Sequence, residues 1–271
     1  MNFGSLISKQ VVVRLTSSFL MAVPVIAFIF VGGVCFIVFV AFLAGIMSWE
    51  VTRTVCKRRN VFIEIGIVFV VAFLVIVFGL FFVSSFTETN LPLFSSLLII
   101  VTFIIRKLHS VVRVALGNLI IVFSCFCMIW LRVTFEVELF AWILLSVIAT
   151  DTGAFIVGST IGGIKLAPNI SPNKTWAGLL GGILSSLMVA WIFYLFWFEA
   201  NNPSLFIMAI ILAIISQIGD LVESAYKRSY KIKDSSRLIP GHGGLLDRLD
   251  GHIAAGIFIS FILLYTDRAL I

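Results

Sequence analysis

"LTSSFLMAVPVIAFIFVGGVCFIVFVAFLAGIMSWE", residues 15–50, runs for 35 residues before its first charge, Glu50. A membrane-spanning helix needs about 20 mostly apolar residues. The run is therefore too long for one span. Gly32-Gly33 lies near its middle, and a glycine pair is where a helix can fold back on itself. Read as a hairpin of two spans, this stretch makes the chain a polytopic helical membrane protein.

The rest of the chain divides the same way. Breaks at charges, glycine pairs and prolines leave nine candidate spans, roughly 15–31, 33–50, 61–83, 91–106, 111–131, 138–158, 175–198, 204–224 and 251–267. The expected fold is all-α, a single integral membrane domain over 1–271 with about nine transmembrane helices. Composition agrees: 61% of the 271 residues are hydrophobic and 12% charged, against about 25% charged in soluble domains. Cys35, Cys56, Cys125 and Cys127 show no metal-ligand spacing and read as small apolar packers. No repeat or linker is visible.

Charge sets the expected orientation. With nine spans, 17 of the 19 Lys and Arg residues fall on one side, and only Arg132 and Arg268 on the other. Cytoplasmic loops are enriched in Lys and Arg. The N-terminus is therefore expected inside and the C-terminus outside. The net charge of +6 points to an anionic leaflet or an anionic substrate before nucleic acid.

Two inner loops are longer than the rest, and polar regions at about 151–178 and 216–252 surround them. Asp151 lies late in the sixth span and Asp220 late in the eighth. A charge at bilayer depth costs roughly 2.5–3.5 kcal/mol on insertion scales, so it normally faces a partner or a polar cavity. An interhelical ion pair is the plainest reading of either residue alone. Together they say more. Asp220, Glu223, Ser224, Lys227 and Arg228 share one broad helix face by their spacing. Asp247 and Asp250, three residues apart, can face the same way from the start of the ninth span.

Carboxylates among cations suit a hard divalent ion such as Mg²⁺ together with phosphate oxygens. Gly241, Gly243 and Gly244 allow backbone N–H groups close to a ligand. His242 stands among them, and a hydrogen-bonded turn residue is its ordinary reading. In the other loop Lys165, Ser171 and Lys174-Thr175 precede the seventh span. Pro172 is expected to set a rigid turn there, and a Ser/Thr-capped helix start is a good anion site.

At this point a family resemblance enters. Residues 224–250, "SAYKRSYKIKDSSRLIPGHGGLLDRLD", resemble the signature of the phosphatidate cytidylyltransferases, also called CDP-diglyceride synthases. Ser224, Lys227, Arg228, Lys233, Asp234, Pro240, His242, Gly243, Gly244, Asp247, Arg248 and Asp250 fit in register. Tyr226 departs mildly, standing where an apolar residue is usual. The stretch from Asp151 to Thr175 is similar to the family's second polar region.

The resemblance implies transfer of a cytidylyl group from CTP to phosphatidic acid, giving CDP-diacylglycerol and pyrophosphate in phospholipid synthesis. It implies Mg²⁺ held mainly by Asp220 and Asp247, with room for a second cation. Catalytic roles are expected for Asp220, Lys227, Arg228, Asp247, Arg248 and Asp250. Substrate contacts are expected at Lys165, Ser171, Lys174, Thr175, Ser224, Lys233, His242, Gly243 and Gly244. The expected partners are CTP, phosphatidic acid and the lipid bilayer; a homodimer is left open. The expected location is the bacterial inner membrane, with the site on the cytoplasmic side.

Two other readings stand beside this one. "DGHIAAG" at 250–256 begins like a CDP-alcohol phosphotransferase motif but lacks its Arg and later acids. A transporter would place polar residues near mid-span and repeats in two halves.

Overall fold

The computed structural model describes residues 3–56, 61–84, 110–197, 203–241 and 243–265. These residues form eight helices and one small hairpin. The helices are α1 (Phe3–Val31), α2 (Gly33–Val55), α3 (Val61–Ser84), α4 (Ser110–Thr134), α5 (Val137–Ile161), α6 (Trp176–Phe196), α7 (Ser204–Ser229) and α8 (Leu246–Tyr265). Seven of them, α2 to α8, are long and apolar enough to cross a membrane. In α1 the apolar part is Phe19–Val31. The protein is a polytopic helical membrane protein. The span expected at 91–106 lies outside the described residues.

The α1–α2 break falls where the glycine pair indicated. Gly32 has φ 64° and Gly33 φ 53°, a region that suits glycine. Arg132, near the end of α4, packs against the break. Its Nε donates to the Ile29 carbonyl at 2.8 Å, and a Cβ on Gly32 would meet its guanidinium at 3.0 Å. Phe28 stacks on Phe39 across the hairpin at 4.5 Å.

The core is built from faces that meet between helices: Ile37 of α2, Ile129 of α4, Trp142 and Ile143 of α5, Leu212 of α7 and Ile259 of α8 are all buried. The opposite faces carry exposed apolar residues, such as Phe62, Phe69 and Phe81 on α3 and Leu180, Leu184 and Met188 on α6. That inversion suits a chain whose solvent is lipid. Since lipid tails are as apolar as leucine, close packing of small residues holds such helices together. On α5 and α6, Gly153 and Gly158 oppose Gly178 and Gly181 so closely that backbone touches backbone.

The loop between α5 and α6 differs from expectation. It contains an antiparallel hairpin of β1 (Lys165–Ala167) and β2 (Ser171–Thr175), with Lys165 opposite Thr175 and Ala167 opposite Ser171. The turn closes where Ile170 N donates to Ala167 O at 3.1 Å. Pro172 thus sits within β2 and does not make the turn. A two-stranded ribbon is all edge, so a residue without an N–H is tolerated there.

α8 also begins five residues earlier than the expected 251, at Leu246. A carboxylate from another helix accepts the N–H groups where it begins.

Candidate functional site

Five helix termini converge at one end of the bundle: the C-terminal ends of α2, α5 and α7 and the N-terminal ends of α6 and α8. The crossing of α7 and α8 is tight. A Cβ on Gly219 would lie 2.6 Å from Ala254 Cβ and 2.9 Å from Asp250 O. This approach brings Asp220 to Asp250. With Glu223, one helical turn along α7, they form a trio whose carboxylate oxygens lie within 4.8 Å of one another.

Cations and polar groups surround the trio. Lys174 Nζ is 2.6 Å from Asp220 Oδ2 and donates to the Gln217 carbonyl at 3.4 Å. Ser224 Oγ donates to Asp220 Oδ1 at 3.3 Å. Gln217 Nε2 donates to Asp151 Oδ1 at 3.0 Å, which draws α5 into the site. Asp151 lies within electrostatic reach of Asp220, Lys174 and Arg248. Lys227 joins the trio to its neighbour: its Nζ forms an ion pair with Glu223 and donates to Asp247 Oδ1 at 2.9 Å.

Asp247 stands beside the trio rather than within it. Its carboxylate accepts Ser235 N at 3.0 Å and Gly244 N at 2.8 Å besides Lys227. It therefore gathers the loop between α7 and α8. The glycine-rich part of that loop is pinched shut by paired bonds between Ile239 and Gly243, at 2.9 and 3.1 Å. Gly243, at φ 88°, takes a conformation that favours glycine, and a Cβ there would lie 2.8 Å from Asp247 Oδ2. His242 lies outside the described residues.

Behind the loop is Glu50, at the end of the charge-free run and fully buried. It accepts four hydrogen bonds: from Ser235 Oγ at 3.2 Å, Ser236 Oγ at 2.6 Å, Leu245 N at 2.9 Å and Leu246 N at 2.7 Å. The first N–H groups of a helix have no intrahelical acceptor. Glu50 supplies one to α8 from α2 and so sets where α8 begins.

The remaining expected residues fall as follows. Thr175 caps α6, its hydroxyl accepting Gly178 N at 3.0 Å. Arg228 Nε donates to Ile170 O at 3.4 Å, and its terminal nitrogen donates to Ile232 O at 3.1 Å, tying the hairpin to the end of α7. Ser171 is half-buried in β2, and Lys165 is exposed on β1. Arg248 is exposed in the first turn of α8, and Lys233 is exposed on the α7–α8 loop. The sequence reading missed Glu50, Gln217 and the place of Glu223 among the clustered acids. An acid closing a long apolar run was the available signal for Glu50.

The trio fits a hard cation. Its donors are all carboxylate oxygens, the class that Mg²⁺ and Ca²⁺ take. Two oxygens on one Mg²⁺, at about 2.1 Å each, stand at most about 4.2 Å apart. The trio's oxygens, within 4.8 Å of one another, stand close to that spacing.

Comparison with known proteins finds similar sequences over much of the chain. A family model described as "Cytidylyltransferase family" matches residues 12–266. A phosphatidate cytidylyltransferase of Staphylococcus haemolyticus is 52% identical over 102 residues, 37% of this chain and 39% of that protein. One from Bacillus subtilis is 46% identical over 119 residues, 42% of this chain and 43% of that protein. One from Haemophilus influenzae is 42% identical over 128 residues, 45% of this chain and 44% of that protein. The matched stretch thus spans about two fifths of each of these relatives.

Proposed function

The chain belongs to the cytidylyltransferase family, and from that premise we propose that it transfers a cytidylyl group from CTP to phosphatidic acid. The products are CDP-diacylglycerol and pyrophosphate. The observation that carries this reading is the acidic trio Asp220, Glu223 and Asp250, ringed by Lys174 and Lys227 at the polar end of a membrane bundle. The names of the relatives support the choice of nucleotide and lipid.

In this reaction a phosphate oxygen of phosphatidate forms a bond to the α-phosphorus of CTP. The bond from that phosphorus to the bridging oxygen breaks, and pyrophosphate leaves with the electron pair. The attacking oxygen is already ionised, so no side-chain nucleophile is needed. The protein's task is to hold two polyanions together. Lys174 and Lys227 bring positive charge to the carboxylates, and Arg228 and Arg248 add to it from the rim. Thr175 fixes the start of α6 beside them. Ser224 orients Asp220, while Asp247 holds Lys227 and the loop that carries Lys233, Gly243 and Gly244. Lys165, Ser171 and His242 complete the proposed substrate contacts.

Asp220, Asp250 and Glu223 would hold Mg²⁺. Asp247, the partner expected from the sequence, shares Lys227 with Glu223, and Asp247→Asn tests it against the trio. When bound, a divalent ion neutralises phosphate oxygens and stabilises the departing charge. The basic residues argue that this end faces the cytoplasm, with the N-terminus on the same side and the bacterial inner membrane as the setting. CTP then arrives from water while the diacyl chains stay in lipid.

The test is synthesis of CDP-diacylglycerol from labelled CTP and phosphatidic acid by purified protein in liposomes with Mg²⁺. Product lost with EDTA, and reduced at limiting Mg²⁺ by Asp220→Asn, supports the reading. Folded wild-type protein that makes no product overturns it.

A further inference from the structure

Outside the carboxylate site, a groove of about 660 Å³ opens between the end of α2 and residues 232–238. Trp49 and Arg53 form one wall, and Lys233, Asp234, Ser235 and Arg237 contribute to the other. Arg53 lies over the Trp49 ring at 4.5 Å. Such a contact holds a guanidinium in place while leaving its N–H edge open. Among the described residues, none of Arg53, Lys233 and Arg237 has a carboxylate within ion-pair distance. Among the described residues, Asp234 is the one acid lining the groove. Three cations against Asp234 and the Glu50 carboxylate behind Ser235 and Ser236 still leave net positive charge there.

The loop wall is built, not loose. Glu50 holds the Ser235 and Ser236 hydroxyls from behind, and Asp247 holds the Ser235 N–H. Ser235 thus lines the groove while its backbone N–H donates to Asp247. An anion in the groove would sit next to the carboxylate site without occupying it. Loop cations that serve only topology need no shared concavity, no aromatic platform and no anchored backbone.

We propose that this groove is a second anion subsite that takes a phosphate group of a substrate, with Arg53, Lys233 and Arg237 as its donors. The inference rests on the reaction proposed above for the choice of phosphate. Two sources carry that chemistry: the triphosphate of CTP and the head group of phosphatidate.

The test separates them, and separates this subsite from the reaction. Protein in phosphatidylcholine nanodiscs is titrated with pyrophosphate, with CTP, and in parallel discs with phosphatidic acid, all in EDTA. Tryptophan fluorescence is the readout, with Trp49→Phe as the control for its origin. Wild type should respond, Trp49→Phe should lose the response, and R53Q/R237Q should bind at least tenfold more weakly. Arg53→Lys should recover part of the affinity. A response to CTP and pyrophosphate alone assigns the triphosphate, and one to phosphatidate alone assigns the lipid head group. Equal affinities in wild type and R53Q/R237Q, or an unchanged response in Trp49→Phe, would overturn the subsite. If the double variant unfolds, Arg53→Gln alone decides by the same criterion. No turnover enters the titration. Anion binding without CDP-diacylglycerol synthesis would sink the reaction and keep the groove. Synthesis with unaltered KM values in R53Q/R237Q would do the reverse.

Discussion

Glu50 accepts the backbone N–H of Leu246 at 2.7 Å across 196 residues of sequence. Its other oxygen accepts Leu245 N, so one buried carboxylate caps α8 from α2. Hydrogen bonds to a charged acceptor contribute more than neutral ones, and stranded buried N–H groups are costly. Glu50→Ala should destabilise the fold by about 2–4 kcal/mol, read as a lower melting temperature in detergent. Glu50→Gln should lose less, because one carbonyl oxygen remains. Hydrogen exchange should speed up first at residues 235–246.

Gly244 packs under that same carboxylate. A Cβ there would run into Ser235 Oγ and lie 2.6 Å from Glu50 Oε1. Gly244→Ala should therefore push the loop off Glu50 and reduce cytidylyl transfer about tenfold or more, an effect of roughly 1.4 kcal/mol. A Glu50→Ala/Gly244→Ala double variant should be less impaired than the two single effects combined, since both act on one contact.

Lys227 is shared between Glu223 and Asp247. Removing one member of a buried charge cluster leaves the others unpaired, typically at about 3–5 kcal/mol. Lys227→Met should lower both the melting temperature and the rate of CDP-diacylglycerol formation. Adding Glu223→Gln should restore much of the stability but not the activity. Recovered activity would show that Lys227 serves only to balance charge.

The arrangement of carboxylates predicts how each variant responds to Mg²⁺. Asp220→Asn and Asp250→Asn should raise the Mg²⁺ concentration at half-maximal rate by about tenfold, the loss of roughly 1.4 kcal/mol of binding. Asp247→Asn should lower the rate with little change in that concentration, because its oxygens are taken by Lys227, Ser235 and Gly244. A Mg²⁺ shift confined to Asp220→Asn and Asp247→Asn would instead assign the metal to that pair.

Much of this molecule is legible in its sequence. Gly32-Gly33 marks the hairpin, since a pair of glycines inside a charge-free run has few other uses. Helix periodicity puts Asp220, Glu223, Ser224 and Lys227 on one face. Thr175 is readable as a cap from its place before an apolar run. Local rules reach these features because each depends on neighbours within a turn or two. The hairpin around Pro172 was not readable: strands of three and five residues carry too little alternation to stand out.

By itself, then, the sequence determined that the chain resides in a membrane, that its polar residues gather at helix ends, and which segments carry them. Apolar run length and charge placement are properties of the chain alone. Tertiary structure decided which carboxylates meet. Asp220 faces Asp250 because Gly219 lets α7 and α8 cross closely, and Asp247 turns to the loop because Lys227, Ser235 and Gly244 donate to it. It also decided that Glu50 holds the start of α8. Such choices depend on where side chains from distant helices point once packed, and spacing along one helix carries no record of that.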